Sequence, residues 1–304
     1  MSAELLPTDS PATRGIGPSA LIGLIGAGIQ KSRTPGMHMR EGLRQGLRII
    51  YNLIDTDVLG LGQEDLPDLL TAAQRLGYNG LNITFPFKQT VIPLLDELSS
   101  DAAALGAVNT VVLKDGRKIG HNTDWFGFAE GFRRALPGVA KRRAVQIGLG
   151  GAGSAVAHAA LTLGIERLDL FDIVGERAEH VAQSLCARFG KGRARAVRDV
   201  PGAMAEADGL IHCTPTGMAK MPGMAISAEL LRPDLWVAEI VYFPLATELV
   251  RAARALGCPV ADGGGMAVFQ AVEAFRLFTG ITPDADRMSA HFAEWDVDAS
   301  RPAA

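Results

Sequence analysis

Residues 144–164 read AVQIGLGGAGSAVAHAALTLG and contain a GxGxxG motif as Gly148, Gly150 and Gly153. The motif lies between an apolar segment typical of a buried strand and an alanine-rich segment typical of a helix. In that context the first glycine permits a tight turn, the second lets the backbone approach a pyrophosphate, and the third lets helix and strand pack closely. The helix N-terminus adds amide groups and a positive dipole end. The stretch therefore predicts a dinucleotide site made by Gly148, Gly150, Gly151, Ala152 and Gly153. The alternative, in a chain with 35 glycines, is a purely structural turn.

An acidic residue after the next predicted strand extends this site. Asp172 follows Gly153 by about 20 residues, the spacing at which a carboxylate binds the adenosine ribose diol. A carboxylate there would repel a 2′-phosphate, so the pattern favours NAD over NADP. Arg177, five residues further on, tempers this preference because it could reach such a phosphate. The alternative for Asp172 is a helix N-cap.

On both sides of this motif, short apolar runs alternate with helical patterns, which predicts an α/β fold with largely parallel sheets. The predicted order is a tail over residues 1–18, an α/β substrate domain over 19–124 and a Rossmann domain over 125–262. A C-terminal segment over 263–298, containing a long helix, is expected to return to the first domain and complete it.

Several local patterns predict particular elements. Asp115-Gly116 between two apolar runs indicates a tight β-hairpin. Residues 88–98 are predicted to form a helix. The glycines at 263–265 are predicted to form a hinge before the last long helix, and Gly265 is placed among the cofactor-binding residues.

The composition excludes several functional classes. The chain has 304 residues, 48% of them hydrophobic, and a formal net charge of −3, which argues against a general nucleic-acid surface. Three scattered cysteines form neither a CxxC pair nor a disulfide framework, so no metal site is expected and the cytoplasm is the expected location. The first twenty residues do not resemble a signal peptide, and no apolar run reaches the ~18 residues of a membrane span.

Polar clusters follow the predicted strands of the first domain, where open α/β sheets bind ligands. They offer hydroxyls, amides, an ammonium and a carboxylate, which suits a small ligand with several hydroxyls and a carboxylate. The clusters are Lys31–Pro35, Asn82–Lys88, Gly106–Thr110 and His121–Asp124. Each also has an ordinary structural interpretation: Ser32 and Thr34 as helix caps, Asn82 as a loop brace, and Lys88 as a solvated lysine.

Taken together, these clusters resemble the shikimate/quinate dehydrogenase family. The shared motifs are SRTP at 32–35, NITFPFK at 82–88, GAVNT at 106–110, NTD at 122–124 and a late glutamine, Gln270, in GGGMAVFQAVEAF. They occur in the family's order from about residue 20 to 280. Five motifs in order are far more specific than any one of them.

The resemblance implies an NAD(P)-dependent alcohol dehydrogenase in which Lys88 and Asp124 form the catalytic pair. It implies that Ser32 and Thr34 bind the substrate carboxylate. The remaining substrate contacts that it implies are Thr84, Asn109 and Gln270 on ring hydroxyls, with Asn82 and Tyr242 lining the cleft. Thr34 and Asp172 together look most like the NAD-dependent quinate/shikimate branch.

Several alternatives stay open from the sequence. The chain could be an NADP-dependent biosynthetic shikimate dehydrogenase, an aminoshikimate-type relative, or a ligand-sensing regulator that has lost catalysis. Trp125 stands where the family commonly has glycine, and we expect its indole to narrow the cleft or contact the nicotinamide. A homodimer is compatible with the sequence, whereas nucleic-acid and membrane partners are not expected.

Overall fold

The computed structural model describes residues 17–299, with side chains described up to residue 294. Most of the predicted N-terminal tail lies outside the described residues. The chain forms two compact units: unit 2 comprises Asp124–Phe269, and unit 1 comprises the described residues on either side of it. Both units are α/β, as predicted. Among the described residues, no helix combines the length and apolarity needed to cross a membrane.

Unit 1 contains a six-stranded sheet in the order β2-β1-β3-β5-β6-β4. Strands β1, β2 and β3 are parallel, but β5 runs antiparallel to both β3 and β6, so this sheet is mixed rather than largely parallel. Its elements are β1 (Ser19–Gly26), α1 (Thr34–Arg44), β2 (Arg48–Asp55), α2 (Thr56–Leu59), α3 (Leu66–Arg75), β3 (Gly80–Ile83), β4 (Glu97–Leu98), α4 (Ser100–Leu105), β5 (Thr110–Lys114) and β6 (Arg117–His121).

The hairpin between β5 and β6 forms where Asp-Gly predicted it. Asp115 and Gly116 both have positive φ, 52° and 73°, which matches the primed turn that suits the right-handed twist of paired strands. This antiparallel pair carries GAVNT at the start of one strand and NTD after the end of the other. The turn therefore brings two of the predicted motifs to one end of the sheet.

The helix predicted over residues 88–98 is wrong. A 3₁₀ turn at Ile92–Leu94 is followed by the short strand β4, which pairs with β6. Pro93 explains the difference, because its ring removes an amide donor and blocks a continuing α-helix. The following residues then join the edge of the sheet instead.

Unit 2 contains a six-stranded, fully parallel sheet in the order β12-β11-β10-β7-β8-β9. Its first strand, β7, lies between β8 and β10, so the order reverses there, as in a Rossmann fold. The elements are α5 (Asp124–Ala135), β7 (Arg143–Ile147), α6 (Gly153–Thr162), β8 (Arg167–Phe171), α7 (Gly175–Phe189), β9 (Ala194–Ala196), α8 (Val200–Ala205), β10 (Gly209–His212), β11 (Trp236–Glu239), α9 (Glu248–Ala255) and β12 (Val260–Ala261). Apolar side chains form two buried clusters in this unit.

The last two helices are α10 (Gly263–Thr279) and α11 (Ala285–Ala299). The predicted glycine hinge is wrong, since Gly263–Gly265 form the first turn of α10. The predicted return to the first domain is confirmed: Phe275 and Phe278 of α10 are fully buried in a unit 1 core cluster with Ile22 of β1. The chain thus completes unit 1 with residues far away in sequence.

Candidate active site

Two backbone hydrogen bonds join the NITFPFK and GAVNT motifs in unit 1. The Ile83 amide donates to the Asn109 carbonyl at 2.8 Å, and the Val108 amide donates to the Lys88 carbonyl at 2.8 Å. Lys88 is half-buried. Its position therefore depends on the same strand ends that carry Asn109, although 17 residues, 89–105, separate the two motifs in the chain.

The Asn109 side chain connects three of the predicted motifs. It is 3% exposed, and its Oδ1 accepts a 2.7 Å hydrogen bond from the Thr123 amide. Its Nδ2 donates to Thr123 Oγ1 at 3.0 Å and to Gln270 Oε1 at 3.4 Å. The structure therefore places GAVNT, NTD and the late glutamine side by side. Asp124 is the next residue in the chain and the first residue of α5 in unit 2, where it is buried.

A buried chain of polar side chains leads from α1 to this cluster. His38 Nδ1 donates to the Thr34 carbonyl at 3.0 Å, and its ring lies 5.1 Å from that of Tyr51. The Tyr51 hydroxyl donates to Asn82 Oδ1 at 2.6 Å, and Asn82 Nδ2 donates to the Asn109 carbonyl at 3.3 Å. Burial lowers the pKa of His38 to about 4, partly offset by its hydrogen bond to Thr34. Asn82 therefore braces the strand ends, as the structural alternative predicted; a contact with substrate stays a prediction.

Ser32 and Thr34 lie where β1 leads into α1. Ser32 Oγ accepts a 3.3 Å hydrogen bond from the Thr34 amide, whereas the N-cap position of α1 is Arg33, with no side-chain cap. The loop before them is held by Asp55, a buried carboxylate at the end of β2. Burial opposes ionisation of Asp55, but the hydrogen bonds that it accepts outweigh this effect and lower its pKa. The donors are the Gln30 side chain and the amides of Gly28, Ile29 and Asp57.

Thr84 and Tyr242 lie in loops that follow strands. Thr84 is half-buried after β3, and its amide donates to the Ile25 carbonyl at 3.0 Å. A Cβ on Gly26 would overlap the Thr84 methyl, so glycine there allows this close approach. Tyr242 belongs to unit 2, in the loop after β11, and is 43% exposed. Their contacts with substrate stay predictions.

The glycine loop of unit 2 connects β7 to α6 in the manner that the motif predicts. Gly148 has φ +93°, and a Cβ on it would lie 2.6 Å from the Cys213 carbonyl oxygen. A Cβ on Gly153 would overlap the Gly148 carbonyl oxygen. By contrast, a Cβ on Gly150 would have no protein atom within 4 Å. The fold itself thus needs glycine at 148 and 153, whereas at 150 the open space fits a ligand that approaches the backbone.

Gly151 and Ala152 complete this loop directly before α6, and Gly151 is exposed. The N-terminus of α6 supplies the partial positive charge that a pyrophosphate would meet. The residues present therefore fit a dinucleotide. Gly265 has a packing role instead: a Cβ on it would lie 3.1 Å from Gly131 Cα of α5. Its predicted cofactor contact is untested by this geometry.

Asp172 follows β8 and is almost completely buried, with its side chain 4% exposed. It accepts hydrogen bonds from the Leu149 amide at 2.8 Å and the Val174 amide at 2.9 Å. It also forms an ion pair with Arg177 at 3.1 Å. The N-cap of α7 is Val174, so Asp172 is not the helix cap that the alternative proposed. Its carboxylate instead anchors the glycine loop and orients Arg177.

Trp125 packs within unit 2. Its ring lies edge-on to His158 of α6, with centroids 5.8 Å apart, and it contacts the core beside that helix. The substitution of tryptophan for the family's usual glycine therefore has a packing explanation.

A second buried network in unit 2 escaped the sequence analysis. His212 ends β10 and Glu239 ends β11, and His212 Nδ1 lies 2.8 Å from a Glu239 carboxylate oxygen. The sequence signal that could have predicted this contact is that His212 and Glu239 each lie near the end of a predicted strand. Parallel strands bring their carboxyl ends to one edge of the sheet, so two such residues can meet there.

Comparisons with known proteins agree with the motif order. Residues 24–111 match the family described as "Shikimate dehydrogenase substrate binding domain", and residues 263–290 match "Shikimate 5'-dehydrogenase C-terminal domain". The chain is 58% identical over 278 residues to a shikimate dehydrogenase (NADP(+)) of Streptomyces avermitilis. The aligned region covers 91% of this chain and 96% of that relative. It is 49% identical over 277 residues to a quinate/shikimate dehydrogenase (NAD(+)) of Corynebacterium efficiens. That alignment covers 90% of this chain and 98% of that relative. A solved quinate dehydrogenase from Corynebacterium glutamicum in complex with NAD matches with a TM-score of 0.86 and 48% identity, covering 91% of this chain and 99% of that one.

Proposed function

The chain belongs to the shikimate dehydrogenase family of NAD(P)-dependent oxidoreductases, and we propose that it reversibly oxidises a ring hydroxyl of shikimate, quinate or both to the 3-dehydro acid, with NAD. The observation that carries the substrate class is the Asn109 cluster. The buried Asn109 amide joins GAVNT, NTD and Gln270, so two of the residues proposed to bind ring hydroxyls, Asn109 and Gln270, lie in contact. Ser32 and Thr34 are proposed to bind the carboxylate.

Oxidation of a secondary alcohol needs a hydride acceptor and a group that takes the hydroxyl proton. A bound nicotinamide cofactor supplies the hydride acceptor. We assign the transfer of the hydroxyl proton to Lys88 and Asp124 acting together as an acid/base pair. Lys88 also orients the reacting hydroxyl by hydrogen bonding. Asn109 and Gln270 hold neighbouring hydroxyls and so keep the ring in one orientation.

The test of this role is Lys88→Ala with Lys118→Ala as a matched control. Lys118 also lies in unit 1 and pairs with a carboxylate, Asp96, at 3.2 Å, but outside the motifs. A positioned acid/base group contributes about 10²–10⁴-fold, so Lys88→Ala should lower kcat on shikimate and quinate by that factor, whereas Lys118→Ala should not. Asp124→Asn should give a similar loss, and the double variant should be little worse than either single variant. A Lys88→Ala protein that keeps more than about a tenth of the wild-type kcat would contradict the assignment.

The preference for NAD rests on Asp172. Its buried carboxylate lies at the end of β8, where the adenosine ribose is bound in this fold, and it would repel a 2′-phosphate. Because Asp172 also anchors the Leu149 amide, Asp172→Asn is a better probe than alanine: it removes the charge and keeps an acceptor oxygen. This variant should lower the ratio of kcat/KM with NAD to kcat/KM with NADP.

An NADP-dependent shikimate dehydrogenase is the second candidate, favoured by Arg177, whose guanidinium lies beside Asp172. Arg177→Gln separates the two. If NAD is the cofactor, this substitution should leave kcat/KM with NAD nearly unchanged; if NADP is the cofactor, it should lower kcat/KM with NADP by about tenfold or more, the value of a lost charged contact. Initial rates for shikimate and quinate with both cofactors give the reference values. A wild-type protein that prefers NADP would overturn the ribose role of Asp172.

A further inference from the structure

A tyrosine on the second strand of unit 1 reaches the polar cluster across a neighbouring strand. Tyr51 lies on β2 and Asn82 lies on β3, and β1 runs between these two strands. The Tyr51 hydroxyl nevertheless donates to Asn82 Oδ1 at 2.6 Å. The rest of the tyrosine side chain packs in the unit 1 core, and the residue is 6% exposed. Tyr51 therefore brings a single polar group from the core to the end of β3.

The contacts of Asn82 fix the direction of its side-chain amide. Its Nδ2 donates to the Asn109 carbonyl at 3.3 Å and to Thr110 Oγ1 at 3.1 Å, which uses both amide protons. A backbone carbonyl can only accept, so the amide nitrogen of Asn82, and not its oxygen, must face Asn109. Oδ1 then faces Tyr51, where it needs a donor.

The Tyr51 hydroxyl supplies that donor. Burial raises the pKa of Tyr51, so the hydroxyl keeps its proton. An amide oxygen has two acceptor positions, and Tyr51 fills one of them. Asn82 therefore offers a ligand one acceptor position and no proton. Without the tyrosine hydroxyl, Oδ1 would lose its partner and the amide would be held by its nitrogen alone.

We propose that Tyr51 is a positioning residue for substrate binding: its hydroxyl holds the Asn82 amide so that Asn82 accepts a hydrogen bond from a ring hydroxyl. The inference rests on the proposed function in one respect, that Asn82 contacts a polyhydroxylated ring acid. The hydroxyl that Asn82 recognises is a non-reacting one, because the proton of the reacting hydroxyl goes to the pair of Lys88 and Asp124. A freely rotating amide could meet a donor or an acceptor, whereas an amide held by Tyr51 selects donors.

The first test measures steady-state kinetics of the whole protein with saturating NAD. Tyr51→Phe keeps the ring and removes the hydroxyl, so KM for shikimate or quinate should rise about three- to tenfold, the range for one hydrogen bond. kcat should change less than about twofold, and the Kd for NAD should stay the same. Tyr78→Phe is the matched control in unit 1, because the Tyr78 hydroxyl accepts from the exposed Asn52 side chain at 2.9 Å. This control should keep the wild-type KM.

A purely structural role for Tyr51 gives a different result. Loss of a buried hydroxyl lowers Tm under either interpretation, because Asn82 Oδ1 is left without its donor. KM rises only if the direction of the Asn82 amide matters to the substrate. A folded Tyr51→Phe protein with a lower Tm and the wild-type KM would therefore overturn the inference.

The second test uses the wild-type protein and identifies the hydroxyl. Analogues of the acid that the protein oxidises are prepared with one non-reacting hydroxyl replaced by hydrogen or by fluorine, which cannot donate. At the position that Asn82 contacts, the fluoro analogue should bind no more tightly than the deoxy analogue. Tyr51→Phe should bind that deoxy analogue as tightly as the wild type does. Fluoro analogues that bind more tightly than their deoxy counterparts at every position would overturn the inference, even if Tyr51→Phe does not fold.

The two proposals fail in different ways. A wild-type protein that oxidises neither shikimate nor quinate would overturn the proposed function and this inference with it. A wild-type protein that oxidises one of them, together with a folded Tyr51→Phe variant of unchanged KM, would overturn the inference alone.

Discussion

The Gly150→Ala variant tests whether Gly150 is needed for ligand binding, in contrast to Gly148 and Gly153, which the fold itself requires. A Cβ on Gly150 meets no protein atom within 4 Å, and its φ is not in the positive range, so the Gly150→Ala protein should fold normally. Its stability should be unchanged or higher by about 0.4–1 kcal/mol, because alanine reduces the entropy of the unfolded chain.

Binding should respond in the opposite way. The added methyl occupies the space through which a pyrophosphate would approach the loop amides. A hydrogen bond to a charged group contributes about 1.5–3 kcal/mol, so losing one of them should raise the Kd for NAD roughly 10- to 150-fold. Calorimetric titration with NAD measures this change directly.

Gly153→Ala is the matched control, three residues away. Its Cβ would overlap the Gly148 carbonyl oxygen and lie 3.0 Å from the carbonyl carbon, so the backbone must shift. Such overpacking costs about 1–3 kcal/mol, and for a domain of this size each kcal/mol lowers Tm by roughly 2–4 °C. Thermal unfolding should therefore distinguish the two variants. A Gly150→Ala protein that binds NAD like the wild type, or that loses as much stability as Gly153→Ala, would refute the reasoning.

Three further predictions concern unit 1. Ser32→Ala and Thr34→Ala should each raise KM for shikimate or quinate by roughly 10- to 150-fold if they bind the carboxylate; a helix-capping role predicts instead a stability loss of about 1 kcal/mol with KM unchanged. The pKa of His38 is about 4 in the fold, against 6.5 for a free histidine, so the unfolded chain takes up the proton first as pH falls. The free energy of unfolding, measured with urea, should therefore fall by up to about 3 kcal/mol between about pH 6.5 and 4. A His38→Phe variant should lack this pH-dependent loss. A stability difference between wild type and variant that does not change with pH would contradict the assigned role of His38. Glu41 is fully buried in a bidentate pair with Arg287 at 2.7 Å, and although burial raises its pKa, this pair and its other hydrogen bonds lower it overall. Glu41→Gln should cost about 3 kcal/mol at neutral pH and less as acid protonates the wild-type carboxylate, and a loss that is the same at every pH would argue against the ion pair.

Local sequence signals predicted the elements whose conformation depends on nearby residues. Asp115-Gly116 specified the hairpin because few residues adopt positive φ. GxGxxG specified the turn into α6 because two of its glycines leave no room for a Cβ. The helix predicted over residues 88–98 was wrong because Pro93 prevents a continuous α-helix there, and the residues after it join the sheet edge. The hinge predicted at residues 263–265 was wrong, because these glycines begin a helix. Gly265 of that helix packs closely on Gly131, a neighbour more than a hundred residues away in the chain.

The sequence by itself determined the fold class, the family and the identity of the motif residues, because motif order and local conformational preferences are properties of the chain. The tertiary structure decided what each polar group does. Asn82 braces strand ends, Asp172 anchors the glycine loop, and Glu239 holds His212, since each role depends on a partner brought close by the sheet. The physical reason is that a buried polar atom must find a hydrogen-bond partner, and parallel strands supply partners from distant parts of the chain at one edge of the sheet.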